Sequence, residues 1–150
     1  MMKRFLLFIA IVFYSMLGFS QLNINLLANY TYPGSYGDLN DIWGHVDQAG
    51  NEYAIVGTHN GVVIMDVSTP TNPVEVFYTT GANSVWRDIK VWDDVAYIIN
   101  ESSGGLMIID MSSLPGAITQ GDVSFYTGST YPWQSAHDIY IDENGVGYIL

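Results

Sequence analysis

One eight-residue stretch occurs twice, and its recurrence limits the folds open to this chain more than any other feature. Gly61-Val62-Val63-Ile64-Met65-Asp66-Val67-Ser68 and Gly105-Leu106-Met107-Ile108-Ile109-Asp110-Met111-Ser112 agree in residue type at every position without a gap. They belong to a longer unit. Asp41-Ile42-Trp43, Asp88-Ile89-Lys90 and Asp138-Ile139-Tyr140 open three copies whose starts lie 47 and 50 positions apart. Each start is followed by a second run, at Tyr53-Ala54-Ile55-Val56, Tyr97-Ile98-Ile99 and Tyr148-Ile149-Leu150. The repeated stretch is the third run of the first two copies, and Val74-Glu75-Val76-Phe77-Tyr78 and Val123-Ser124-Phe125-Tyr126 are the fourth.

The runs are short, rich in β-branched and aromatic residues, and bounded by Gly, Asn, Asp, Ser or Pro; no apolar pattern at helical spacing follows Ser20. The chain therefore reads as all-β. Four strands in a module of somewhat under 50 residues have the dimensions of a β-propeller blade. A lone four-stranded meander cannot cover both its apolar faces, so Ile64, Met65 and Val67 of one unit need neighbours such as Ile108, Ile109 and Met111 of the next. The expected architecture is blades of four antiparallel strands in an incomplete ring, about two blades and the start of a third. The units fall near 40–86, 87–135 and 136–150, the last truncated, after an N-terminal strand and linker at 21–39.

Turn chemistry fits this division. Asn60-Gly61, Ser103-Gly104-Gly105 and Glu143-Asn144-Gly145 stand where tight hairpins require positive φ, and Pro70 and Pro73 mark a longer connection after the third strand. A closed propeller has about 4 to 8 blades, so the chain reads as the front part of a longer protein. The alternating Leu22-Asn23-Ile24-Asn25-Leu26 is then expected as a strand waiting to pair, able to supply the outer strand of the last blade in a complete ring.

Before the repeats, Met1 to Ser20 has the form of a secretory signal peptide. Lys3 and Arg4 form its basic start, Phe5 to Tyr14 its apolar run, and Gly18-Phe19-Ser20 places small residues before a cleavage site at Gln21. The alternative, a membrane anchor, falls short of the roughly 20 apolar residues that a span needs. Cleavage leaves 15 acidic residues against Arg87 and Lys90 alone. That balance excludes electrostatic binding of nucleic acid, which needs clustered Lys and Arg. With no cysteine in the chain, disulfide frameworks and thiolate metal sites are excluded too.

The pentapeptides Val62-Val63-Ile64-Met65-Asp66 and Leu106-Met107-Ile108-Ile109-Asp110 resemble the repeat of LVIVD-repeat proteins. Asn40-Asp41-Ile42-Trp43-Gly44, Glu52-Tyr53-Ala54-Ile55-Val56-Gly57, Asp66-Val67-Ser68 with Asn72-Pro73-Val74, Trp86-Arg87-Asp88-Ile89-Lys90-Val91 and Ser135-Ala136-His137-Asp138-Ile139-Tyr140-Ile141-Asp142 look like the successive signatures of the choice-of-anchor B family of secreted bacterial proteins. The resemblance covers roughly residues 28 to 150. It implies an exported propeller held at the cell surface by a variable C-terminal anchor or sorting domain, with no established activity and no catalytic residue to carry over.

Superposing the units brings out the main candidate site. Asn40-Asp41, Arg87-Asp88 and His137-Asp138 share one place at the start of the first strand, the strand nearest a propeller's central channel. Asp41, Asp88 and Asp138, with Arg87 and His137 among them, would form a polar ring for a metal or small ligand. Equally, a residue recurring in every unit suits a repeat-building role, each Asp closing a turn or bonding strand backbone. Asp66 and Asp110, each two residues before a serine, read as turn closers, and Arg87 as a partner for carboxylates.

His45, His59 and His137 show no metal-binding spacing. Asp142-Glu143-Asn144-Gly145 is oxygen-rich but lacks the ligand spacing of an EF-hand, so a hairpin turn is preferred there to a calcium site. No cofactor is implied beyond that open calcium question. Trp43 and Trp92 lie within strands and are expected in the core, whereas Trp86 and Trp133 precede repeat starts in Gly/Ser/Thr/Pro-rich stretches and are expected in loops on one face, where binding residues concentrate. The functional expectation is an exported, surface-associated scaffold that binds a protein or glycan through blade-connecting loops, with no transmembrane span after cleavage. The alternative is a propeller-type enzyme using channel-facing Asp, His and Arg on a small substrate, with or without a divalent metal.

Overall fold

A computed structural model describes residues 24–150; the expected signal peptide lies outside them. Strands β1 (Leu39–Val46), β2 (Glu52–Thr58), β3 (Gly61–Asp66) and β4 (Val74–Thr80) form one antiparallel sheet in sequential order. Strands β5 (Arg87–Trp92), β6 (Val95–Asn100), β7 (Leu106–Asp110) and β8 (Val123–Tyr126) form a second sheet of the same order. A hairpin of β9 (Ile139–Ile141) and β10 (Gly147–Ile149) begins a third unit. Short 3-10 turns at Gly34–Tyr36 and Gln120–Asp122 are the helical elements among the described residues. The two copies of the repeated stretch are both third strands, and the three unit starts form or lead into β1, β5 and β9, which lie side by side. These are two propeller blades and the first hairpin of another.

Packing explains why the third strands are apolar without interruption. Val62, Val63, Ile64 and Met65 are all at most 2% exposed. Successive side chains leave opposite faces of a strand, so Val62 and Ile64 join Ile98 and Ile109 of the second blade, while Val63 and Met65 turn to the other side, beneath Tyr30, Tyr32 and Tyr36. A third cluster of Ile99, Leu106 and Ile139 joins the second blade to the hairpin. Each buried aliphatic side chain contributes about 1.5–3 kcal/mol, so the joints between units hold much of the folding energy.

Several sequence expectations need revision. Ile24 to Leu26 forms no strand, and Leu22 and Asn23 lie outside the described residues. The segment that follows covers blade 1 through side chains instead: Tyr36 stacks on Tyr78 at 3.7 Å with planes 6° apart, and its hydroxyl donates to Glu75 Oε1 at 2.8 Å. Gly104, Gly105 and Gly145 do adopt positive φ. Gly61 does not; it is needed because an added Cβ would lie 2.0 Å from the Thr79 carbonyl oxygen of the neighbouring strand. Trp43 and Trp92 are not core residues, being 41% and 40% exposed. Trp43 sits on the inner strand with the Lys90 ammonium 4.9 Å from its ring centre, and Trp92 lies at a strand end against Gly145.

Candidate functional site

The starts of β1 and β5 lie at the same end of their blades as the β2–β3 and β6–β7 turns and the connections 81–86 and 127–138. The residues singled out at the unit starts therefore gather on one face, but they do three different things.

Arg87 is 2% exposed and points into the protein. Its Nε donates to the Thr58 carbonyl at 2.8 Å, and one terminal nitrogen donates to the carbonyls of His59 and Ala82. Instead of a carboxylate partner it has the carbonyl ends of a turn and a connection in blade 1. Burial lowers its pKa. Asn40, at the same repeat position, donates to the Ser84 carbonyl at 3.2 Å, and its buried Oδ1 has no partner.

The aspartates join units. Asp41 Oδ2 accepts from the Ile89 amide at 2.8 Å, and Asp88 Oδ2 accepts from the Ile139 amide at 2.8 Å. Each carboxylate thus bonds strand backbone, but that of the following unit rather than its own. Asp88 also pairs with Lys90. Burial pushes the Asp88 carboxyl up, and hydrogen bonds from Asp138, Lys90 and the Ile139 amide more than offset this, holding it below its usual value. Asp138 moves the opposite way: its hydrogen bond to Asp88 and the charge there raise it. The two carboxyl groups share one environment between neighbouring inner strands.

His137 is well exposed and belongs to neither arrangement. Its ring lies parallel to Trp86, with centres 5.1 Å apart and planes 3° apart. Its Nδ1 is 2.6 Å from Glu101 Oε1, and the Trp86 indole N–H donates to its carbonyl at 2.8 Å. Trp86 comes from the connection between blades, Glu101 from the β6–β7 turn and His137 from the approach to β9. Together they form a surface cluster in which the indole is held at its nitrogen while 45% of the residue remains exposed. The sequence pointed to Trp86 and His137 separately; Glu101 carried no signal beyond following Asn100 in a Ser/Gly-rich turn. Trp133 stands apart, half-buried against the Ile99, Leu106 and Ile139 cluster.

The remaining acidic candidates close turns. Asp66 and Asp110 accept from the amides of Ser68 and Ser112, each at 2.9 Å. Asp142 Oδ1 accepts from the Asn144 and Val146 amides at 2.9 and 3.0 Å. Asp47 repeats that design on Ala49 and Asn51 and also accepts from the Tyr53 hydroxyl. His45 lies 3.5 Å from Asp94 across the blade joint. Among the described residues, no group of three or more His, Cys, Asp or Glu side chains is arranged to hold a metal ion.

Antiparallel four-stranded blades repeated side by side, with a carboxylate of each unit on the backbone of the next, define a propeller-type repeat protein. The model of the LVIVD repeat matches residues 48–80 and 86–118, which take in β2–β4 and β5–β7, so the chain carries two adjacent LVIVD repeats. No curated protein and no solved structure gives a significant match.

Proposed function

We propose that this is an exported, cell-surface-associated propeller scaffold that binds a protein or glycan partner through its blade-connecting loops. The observation that carries the reading is the cluster of Trp86, His137 and Glu101. An exposed indole, fixed through its nitrogen and flanked by an imidazole and a carboxylate, offers apolar contact area with hydrogen-bonding groups beside it at little ordering cost. The other unit-start residues support the same division of labour. Arg87 is committed to carbonyls inside blade 1, and Asp41 and Asp88 to interblade amides, which leaves the loops as the exposed, uncommitted part of this face. Export is supported by the basic, apolar and small-residue segments of 1–20, and surface attachment by the choice-of-anchor resemblance. Among the described residues no helix is long and apolar enough to cross a membrane.

The test is binding to glycan arrays and to intact cells, compared for the unaltered chain and Trp86→Ala. A buried aromatic anchor at an interface is worth about 2 kcal/mol or more, so affinity should fall at least roughly 30-fold, with thermal stability nearly unchanged because the side chain lies on the surface. Unchanged binding by Trp86→Ala would remove this cluster as the binding site.

A further inference from the structure

The cluster of Trp86, His137 and Glu101 lies over the joint between blade 2 and the hairpin that follows it, with both sides of that joint in place. Its internal bonding fixes what it can offer a partner. The Trp86 indole N–H is spent on the His137 carbonyl. A carboxylate can only accept, so His137 Nδ1 carries the proton of the 2.6 Å bond to Glu101 Oε1. That leaves Nε2 of the neutral ring as an acceptor. Among the described residues no hydrogen bond reaches this Nε2 or Glu101 Oε2, and the His137 and Glu101 side chains are 64% and 46% exposed. The cluster therefore presents stacked rings and acceptors, and no free donor of its own.

The surrounding charge has the same preference. Of the two cations after residue 20, Arg87 is buried on carbonyls, and Lys90 pairs with Asp88 on the inner strand. Against them stand 15 acidic residues. An anionic partner is repelled by this balance, and a neutral sugar hydroxyl gains nothing from it. A guanidinium is the complement: it is planar and cationic, has five N–H donors and no acceptor, and stacks on indole faces. The chain shows the same attraction internally, where the Lys90 ammonium lies 4.9 Å from the Trp43 ring centre.

We propose that this cluster binds an arginine side chain of a basic protein segment, which rests on the reading of the loops as a partner-binding face and narrows the partner to a positively charged protein. The guanidinium lies on the stacked rings of Trp86 and His137, and its N–H groups donate to Glu101 Oε2 and His137 Nε2. The rest of the segment is held by the acidity of the chain as a whole, so affinity falls with added salt. Lysine is the poorer ligand, because a compact ammonium cannot lie flat on a ring while donating to two separate acceptors.

The experiment is titration of the unaltered chain, Trp86→Ala and Glu101→Gln with capped pentapeptides of arginine, lysine and citrulline, beside a neutral glycan array. Citrulline keeps the planar shape of arginine and loses its charge. Pentaarginine should bind the unaltered chain more tightly than pentalysine and far more tightly than pentacitrulline. Each substitution should weaken pentaarginine roughly tenfold, with circular dichroism and melting temperature close to those of the unaltered chain. Glu101→Gln preserves side-chain shape, so it decides the matter should Trp86→Ala fold poorly. Pentaarginine that binds both variants as well as the unaltered chain is held by diffuse charge alone and overturns the proposal, as does equal binding of pentalysine or pentacitrulline. If pentaarginine fails in this way while glycan binding is lost in Trp86→Ala, the arginine site is overturned and the loop-binding function stands. If binding of no probe depends on Trp86, both are overturned.

Discussion

At the scale of single residues, similar side chains at one repeat position serve unlike purposes according to what surrounds them. Arg87 and His137 are both nitrogen-rich residues immediately before a unit's aspartate, yet one is buried on three carbonyls and the other lies on the surface against Trp86. The sequence could not separate them, because the carbonyls that take up Arg87 belong to backbone 5 to 29 residues away. Replacing Arg87 by Met should take a donor from the Thr58 and Ala82 carbonyls, whereas the His59 carbonyl keeps the Ser84 amide. At about 1–3 kcal/mol for a buried unsatisfied group, a loss of about 3 kcal/mol is expected in denaturant unfolding, whereas His137→Ala should cost little. Tyrosines set a second residue-level expectation. Burial, assisted by Glu75 at Tyr36 and by Asp47 at Tyr53, pushes both hydroxyls up to about 12. A raised folded value means that the stabilisation is complete below the ordinary tyrosine value of 10.0 and is lost as pH climbs towards 12. Tyr36→Phe should make the fall of stability with pH over that interval shallower by one proton, as read from unfolding curves.

At the scale of elements, strand identity was plain in the sequence and turn detail was not. The uninterrupted apolar run at Val62 to Met65 predicted a strand covered on both sides, and it is one, because its two faces meet different neighbours. Gly61 carried the right residue for a different reason: crowding by the adjacent strand rather than positive φ. Gly61→Ala should therefore disrupt the β3–β4 pairing and lower the melting temperature, while Gly44→Ala, where a Cβ meets nothing within 4 Å, should be nearly neutral. Trp43 and Trp92 show the limit of reading burial from strand position. Both lie in strands, but on inner-strand and strand-end surfaces that the blade cores do not reach.

For the whole molecule, the arrangement of units was legible from spacing alone, and the contacts between them were not. Recurrence of an aspartate at each unit start said that it mattered without saying whether it served a channel or a joint; only the pairing of Asp41 with Ile89 and Asp88 with Ile139 distinguishes these. A pH profile should reflect the same network. Hydrogen bonds, chiefly from Asn51 at Asp47, from Ser112 at Asp110 and from the Val146 amide at Asp142, hold these carboxyls below their usual value, as the partners of Asp88 do there. Their stabilisation is complete above the ordinary carboxylate value and is lost as pH falls through the lowered ones. Asp138, raised by Asp88, contributes in the opposite sense. With four lowered groups against one raised, melting temperature should drop steadily on acidification below about pH 4, and Asp47→Asn should flatten that drop.

The interblade carboxylates give the array a polarity. Each module offers an acceptor forwards and a donor backwards, so gene duplication of one module supplies both in the same event. Arrays of this kind can lengthen or shorten over evolution without new chemistry at their seams.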